Sequence, residues 1–145
     1  MWRERDIVRT YGQGEPVIKE GEVGREMYVI QSGSVEVRKQ QEGTDVLLAT
    51  LKRGDFFGEM AILEDMPRTA SVIAREPTRL MVLNTASFLI KLKKDPAFAF
   101  NVMERLSNRL RITTEKMLSL ARTHGDSEAE IQLSVARAEY NPTGS

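Results

Sequence analysis

The spacing of apolar residues changes once along this chain, at Asn84, and that change divides it into a β-rich part and a helical part. Between Val17 and Leu83 the apolar residues fall in short runs separated by Gly, Asp and Pro, the pattern of an all-β sandwich or barrel. Met27 to Arg38 holds two strand-like stretches around the Ser32-Gly33 turn, with Val35 and Val37 alternating against polar neighbours. Gln41 to Asp45 then turns the chain into Val46–Leu51, and further strands are expected at Ala70–Ala74 and Arg79–Leu83. The whole reads as a meander of about eight short strands.

Beyond Asn84 the period rises to about three and a half. Phe88, Leu89 and Leu92 mark a short amphipathic helix, and Asp95-Pro96 starts a longer one, with Asp95 as N-cap and Pro96 in the first helical position. Met103, Leu106, Leu110, Thr113, Met117 and Leu120 recur at spacings of 3, 4, 3, 4 and 3, the seam of a heptad repeat. Either the helix packs this seam on its own domain or a second copy covers it. The stripe is longer than a small barrel can cover, so a parallel homodimer through a helix over 96–121 is expected. Gly125 is a plausible stop. Ser127 to Glu130 form a capping box ahead of Ile131, Val135 and Ala138, which would share one face of a short helix. Only 20 residues follow Gly125, too few for a helix-turn-helix domain, so no direct DNA contact is expected.

Composition removes several kinds of chemistry. Lys plus Arg and Asp plus Glu each number 21, so no global field favours nucleic acid or an anionic membrane. The absence of cysteine excludes disulfides, thiolate nucleophiles and thiolate metal sites, and a single histidine cannot build a multi-histidine centre. A metal-dependent enzyme on a double-stranded β fold is therefore not expected, nor any metal cofactor. No run approaches the roughly 18 apolar residues of a membrane span, and Met1 to Asp6 is charged rather than leader-like, so the chain reads as cytoplasmic. His124, the charges around Trp2 and the Lys91, Lys93 and Lys94 cluster read as solvated.

The stretch Phe56-Phe57-Gly58-Glu59-Met60-Ala61-Ile62-Leu63-Glu64-Asp65-Met66-Pro67-Arg68-Thr69-Ala70-Ser71-Val72 breaks the strand pattern. Gly58 lets backbone approach a ligand closely, and one helical turn over 59–63 would present free N–H groups to an anion. The planar fork of Arg68 can hold two phosphate oxygens, while the acceptor-only carboxylate of Glu59 suits a sugar hydroxyl. Taken alone, this spacing equally allows Glu59 and Arg68 to pair with each other across a loop.

This segment resembles the phosphate-binding cassette of the cyclic-nucleotide-binding domain family, which runs F-G-E, a small residue, apolar residues, then R-x-A and a strand. The likeness extends upstream through Gly14 to Val37 and covers roughly residues 10 to 122. It implies a double-stranded β-helix, a jelly-roll-like β-roll at about 10–84, followed by helices at about 85–122 that include a long C-terminal dimerisation helix. Residues 1–122 would be the binding domain and 123–145 a short tail with helical character. It further implies that Gly58, Glu59, Met60 and Ala61 line the ribose-phosphate, with Glu59 on the 2′-hydroxyl, that Arg68 takes the cyclic phosphate with Thr69, and that Ala70 stays small beside it. Gly21, Gly24 and Gly33 match turn glycines without a ligand role.

Arg109-Leu110-Arg111-Ile112-Thr113-Thr114-Glu115-Lys116-Met117 resembles the dimer helix of the bacterial catabolite activators. That likeness implies that Thr113 meets the adenine amino group of its own subunit's ligand and Thr114 the ligand of the other subunit. Thr113 is the polar exception in a Leu/Met seam, which marks either a ligand contact or a hydroxyl satisfied by its own helix. Thr69, where activators commonly carry serine, resembles cGMP-dependent kinases and some channels. The ligand expected is cAMP, with cGMP as the alternative. The competing reading is a dimeric interaction domain of the same fold that binds no nucleotide.

Overall fold

The computed structural model describes residues 7–122 and 128–140. Eight strands pair antiparallel in two four-stranded sheets: β1 (Ile7–Tyr11), β8 (Thr78–Leu83), β3 (Met27–Ser32) and β6 (Phe56–Phe57) in one, and β2 (Pro16–Ile18), β7 (Ser71–Ala74), β4 (Ser34–Gln41) and β5 (Thr44–Lys52) in the other. Neighbours such as β1–β8 and β2–β7 are distant in sequence. This corrects the meander: the strand count holds, but only the hairpin β4–β5 pairs consecutive strands within one sheet, and the connections make a β-roll. β1 also lies ahead of the segment that reads as strands. It is an edge strand with Ile7 half exposed, so its apolar alternation is weak.

Alternation in the strands builds the core. Val35 and Val37 of β4, Leu80 and Val82 of β8, Tyr28 and Ile30 of β3 and Val72 of β7 point inward around Phe57, whose ring stacks on Tyr28 at 5.1 Å. At one end the roll is pinned by buried polar groups. Gly33 has φ 86°, and a Cβ there would fall 2.5 Å from both the carbonyl of Pro77 and Oγ1 of Thr78. Ser34 donates its amide to Thr78 Oγ1 at 3.2 Å and its hydroxyl to Glu76 at 2.5 Å.

The chain leaves the sheets as read from the sequence. α2 (Thr85–Lys94) is closed by a capping box between Asn84 and Ser87, and α3 (Pro96–Arg122) begins with Asp95 Oδ1 accepting the amide of Phe98 at 3.0 Å. That bond to the exposed Asp95 carboxylate, with Lys91 nearby, holds it below its ordinary value. A second cluster, Met27, Phe56, Leu83, Phe88, Phe98 and Val102, seats both helices on the roll. α3 buries Phe98, Val102 and Ile112, while Met103, Leu106, Leu110 and Met117 of the heptad seam stay exposed, from 36% to 71%. α4 (Glu128–Tyr140) turns back over the roll. Leu133, Ala136 and Tyr140 face the core cluster of the sheets, so the helix uses this face as well as that of the fully buried Ala138. Ser127 of the expected capping box, His124 and Gly125 lie outside the described residues. No helix among the described residues is long and apolar enough to cross a membrane.

Candidate functional site

Between β6 and β7 the chain leaves the sheets and forms α1 (Glu59–Leu63), a single turn led by Gly58. Gly58 has φ 84°, and a Cβ there would sit 3.0 Å from the Glu26 carbonyl and from Nη1 of Arg68. Only glycine combines that left-handed backbone with so close an approach. The turn buries Glu59 and Ala61 and brings the cassette back to β7.

Arg68 is 7% exposed. Its backbone is fixed by two loop bonds, amide to Glu22 and carbonyl from Gly21, both 2.8 Å. Its side chain donates from Nη1 to the Gly58 carbonyl at 3.1 Å and from Nη2 to the Glu26 carbonyl at 2.8 Å. Glu59, 2% exposed, instead accepts from Nη1 of Arg109 at 2.8 Å. The pairing of Glu59 with Arg68 that the spacing allowed is therefore not made. The arginine is held by carbonyl dipoles, and the carboxylate is neutralised by α3.

α3 thus contributes two guanidinium groups to the floor of the cassette. Arg105 stacks on the ring of Phe56 at 4.2 Å and donates to the carbonyl of the same residue. Its Nε and Nη2 are buried with no hydrogen-bond partner among the described residues. Burial pushes its guanidinium below the ordinary arginine value, against the pull of Glu59 and Asp55. On the far side Nζ of Lys39, from β4, donates to the Thr69 carbonyl at 2.7 Å and lies 3.5 Å from Glu20.

A cleft of about 10 Å³ lies between the cassette and α4. Of the residues expected at the site, it brings together Gly58, Glu59, Met60, Ala61, Arg68, Thr69 and Ala70, and adds Ile18, Met66, Pro67 and Tyr140. Thr113 and Thr114 do not line it. Thr113 is half-buried on α3, and the exposed Thr114 gives its hydroxyl to the Leu110 carbonyl of its own helix at 2.8 Å. Tyr140 reaches Thr69 from α4, with their hydroxyl oxygens 3.0 Å apart.

Sequence reasoning missed Arg109, Lys39 and Tyr140. For Arg109 a signal existed: Phe98, Val102, Arg105, Arg109 and Ile112 recur every three or four residues opposite the heptad seam, so two arginines share the buried face of the helix. Tyr140 follows Leu133 and Ala136 at helical spacing, but its reach to Thr69 depends on where α4 lands.

Two antiparallel sheets interrupted between β6 and β7 by a glycine-led turn and a buried arginine define the class of cyclic-nucleotide-binding β-rolls. The chain belongs to the cyclic nucleotide-binding domain family, whose model matches residues 8–95. It is 36% identical over 104 residues to the cyclic AMP receptor protein of Thermus thermophilus, covering 71% of this chain and 48% of that protein. It is 45% identical over 71 residues to a cAMP-dependent protein kinase regulatory subunit of Mycosarcoma maydis, covering 49% of this chain and 14% of the subunit. The crystal structure of the Thermus thermophilus catabolite activator protein superimposes with a TM-score of 0.67 at 27% identity, over 97% of this chain and 75% of that one. The chain spans about half the length of the receptor protein and a small part of the kinase subunit.

Proposed function

We propose that this domain is a cytoplasmic cyclic-nucleotide sensor without catalysis of its own, taking cAMP in preference to cGMP and passing occupancy on through α3. Arg68 carries the reading. It is a buried cation whose side chain is held by two backbone carbonyls and by no carboxylate among the described residues. A buried charge so held gains most from an incoming anion, and a cyclic phosphodiester supplies one negative charge with two free oxygens for a planar fork.

In this reading Thr69 joins Arg68 on the phosphate, Gly58, Glu59, Met60 and Ala61 line the ribose with Glu59 on the 2′-hydroxyl, and Ala70 leaves room beside them. Glu59 is prepared for that role by Arg109, whose hydrogen bond fixes the direction of its carboxylate. The names of the cyclic AMP receptor protein and the cAMP-dependent kinase subunit favour cAMP. Two copies of the chain would join through the exposed seam of α3, which brings Thr113 of one copy and Thr114 of the other toward the bases. No DNA or metal ion enters the proposal; among the described residues no cluster of His, Cys, Asp or Glu could hold a metal.

The competing reading, a dimeric interaction domain that binds no nucleotide, draws support from the narrowness of the cleft. Calorimetric titration of the chain with cAMP and cGMP side by side, with 5′-AMP as control, separates the two. Binding of cAMP more tightly than cGMP is the expected result, and heat from neither cyclic nucleotide favours the interaction domain.

A further inference from the structure

The cleft in front of Arg68 is closed by the chain itself. Its volume, about 10 Å³, is that of a single water, whereas pockets for small ligands run to roughly 300–1,000 Å³. The occupant is α4. Leu133, Ala136 and Tyr140 lie on the apolar core of the roll, and Ala138 is 2% exposed. The start of the helix is tied to β4 by Nε2 of Gln41, which donates to the Ala129 carbonyl at 3.3 Å. At its other end the Tyr140 phenol sits among the cassette residues, 3.0 Å from the Thr69 hydroxyl. Burial raises that phenol above its ordinary value, so it stays neutral and keeps its proton for hydrogen bonding.

We infer that α4 is an intramolecular competitor of the nucleotide: docked, it fills the cleft with Tyr140 and engages Thr69, and ligand enters only when the helix leaves. The inference rests on the nucleotide reading above. The same volume cannot hold both the phenol and a sugar-phosphate, and a Thr69 hydroxyl that donates to Tyr140 has no second proton to donate to a phosphate. Docking therefore divides the intrinsic dissociation constant by the fraction of molecules with α4 displaced, which weakens apparent binding. By reciprocity, nucleotide displaces α4 and uncovers the apolar face of Leu133, Ala136 and Tyr140. Binding at the cassette is thereby converted into exposure of a helix more than fifty residues away in sequence.

The test uses full-length chains. Tyr140→Ala removes the group in the cleft and Leu133→Asp undocks the helix from the roll, while neither residue belongs to the proposed nucleotide contacts. Each is titrated calorimetrically with cAMP beside the native chain, and the Leu133 or Ala136 methyl signals of the native chain are followed by NMR as cAMP is added. The expected result is a dissociation constant lowered about ten-fold or more in both variants, a smaller gain for Tyr140→Phe, and methyl signals of the native chain that move toward those of an exposed helix. Equal or weaker binding by Tyr140→Ala and Leu133→Asp, beside a native chain that does bind, overturns the competitor while leaving the nucleotide site intact. Failure of cAMP to bind the native chain and all variants overturns the nucleotide reading and the inference with it.

Discussion

Nη1 of Arg109 lies 2.8 Å from Oε1 of Glu59, and both side chains are withdrawn from water, at 12% and 3% exposure. The pair joins α3 to α1 and is the direct electrostatic link between the proposed ribose contact and the long helix. Removing one partner leaves a buried charge without compensation. Arg109→Leu is therefore expected to cost about 3–5 kcal/mol of stability. Arg109→Leu combined with Glu59→Leu should cost less than the single change, because no charge remains. Thermal denaturation of the three variants checks both statements, and a double variant as unstable as the sum of the singles would show that the pair is not coupled.

Arg68→Ala is expected to weaken cAMP by about 3–5 kcal/mol, roughly several hundred-fold to several thousand-fold in dissociation constant. Without ligand the same change frees the carbonyls of Gly58 and Glu26, a loss of about 1–3 kcal/mol that should lower the melting temperature modestly. Arg68→Lys restores the charge without the fork and recovers only part of the affinity. Tight cAMP binding by Arg68→Ala, measured by calorimetry, would remove the site assignment.

Gly24 gives a more selective handle. A Cβ there would lie 2.6 Å from Nη2 and 3.0 Å from Nε of Arg68. Gly24→Ala is expected to push the guanidinium off its two carbonyls and lower cAMP affinity about ten-fold, while stability shifts by no more than about 1 kcal/mol. A variant that binds as the native chain does would show that the guanidinium position is not set by this contact.

The exposed seam of α3 concerns assembly. Leu110, 71% exposed, lies with Met103 and Met117 on a face the domain leaves uncovered. Leu110→Lys should convert a homodimer into a monomer, read by sedimentation velocity at micromolar concentration. A native chain that sediments as a monomer with and without cAMP removes the dimer.

The docking of α4 should depend on pH. Burial raises the Glu139 carboxyl above its ordinary value, with Glu64 and Glu59 pushing the same way and Arg109 and Lys39 opposing. A carboxyl raised in the docked state binds more protons there than when free. Docking is thus strongest below the ordinary glutamate value and weakens as pH rises from that value through the raised one. Methyl signals of Leu133 followed by NMR against pH should report this loss, and Glu139→Gln should abolish the dependence. A native profile as flat as that of Glu139→Gln would remove Glu139 as its source.

Much of this was legible because the signals were local. The glycine-led turn, the Asp95 cap and the start of α3 at Pro96 each depend on a few neighbouring residues, and the structure places them where the sequence puts them. Strand order was not legible, since β1 pairs with β8 across some seventy residues and an edge strand such as Ile7–Tyr11 carries little alternation. The partner of Glu59 was ambiguous for a related reason. Spacing offered Arg68, nine residues on, whereas the bond is made to Arg109 from a different element, fifty residues away. The path of α4 was least legible, because an amphipathic helix states that it has an apolar face and not what covers it.

The polar knot at Gly33, Ser34, Glu76 and Thr78 gives the roll a clamped end. It closes the far ends of β3 and β7 from Glu26 and Arg68, while Gly58 and the exit of β8 toward α2 lie beside Glu26 and Met27. The roll is in this sense a cantilever. The helices are seated at the opposite end, on Met27 and Leu83, so a change in their packing would reach the strands far from this fixed root.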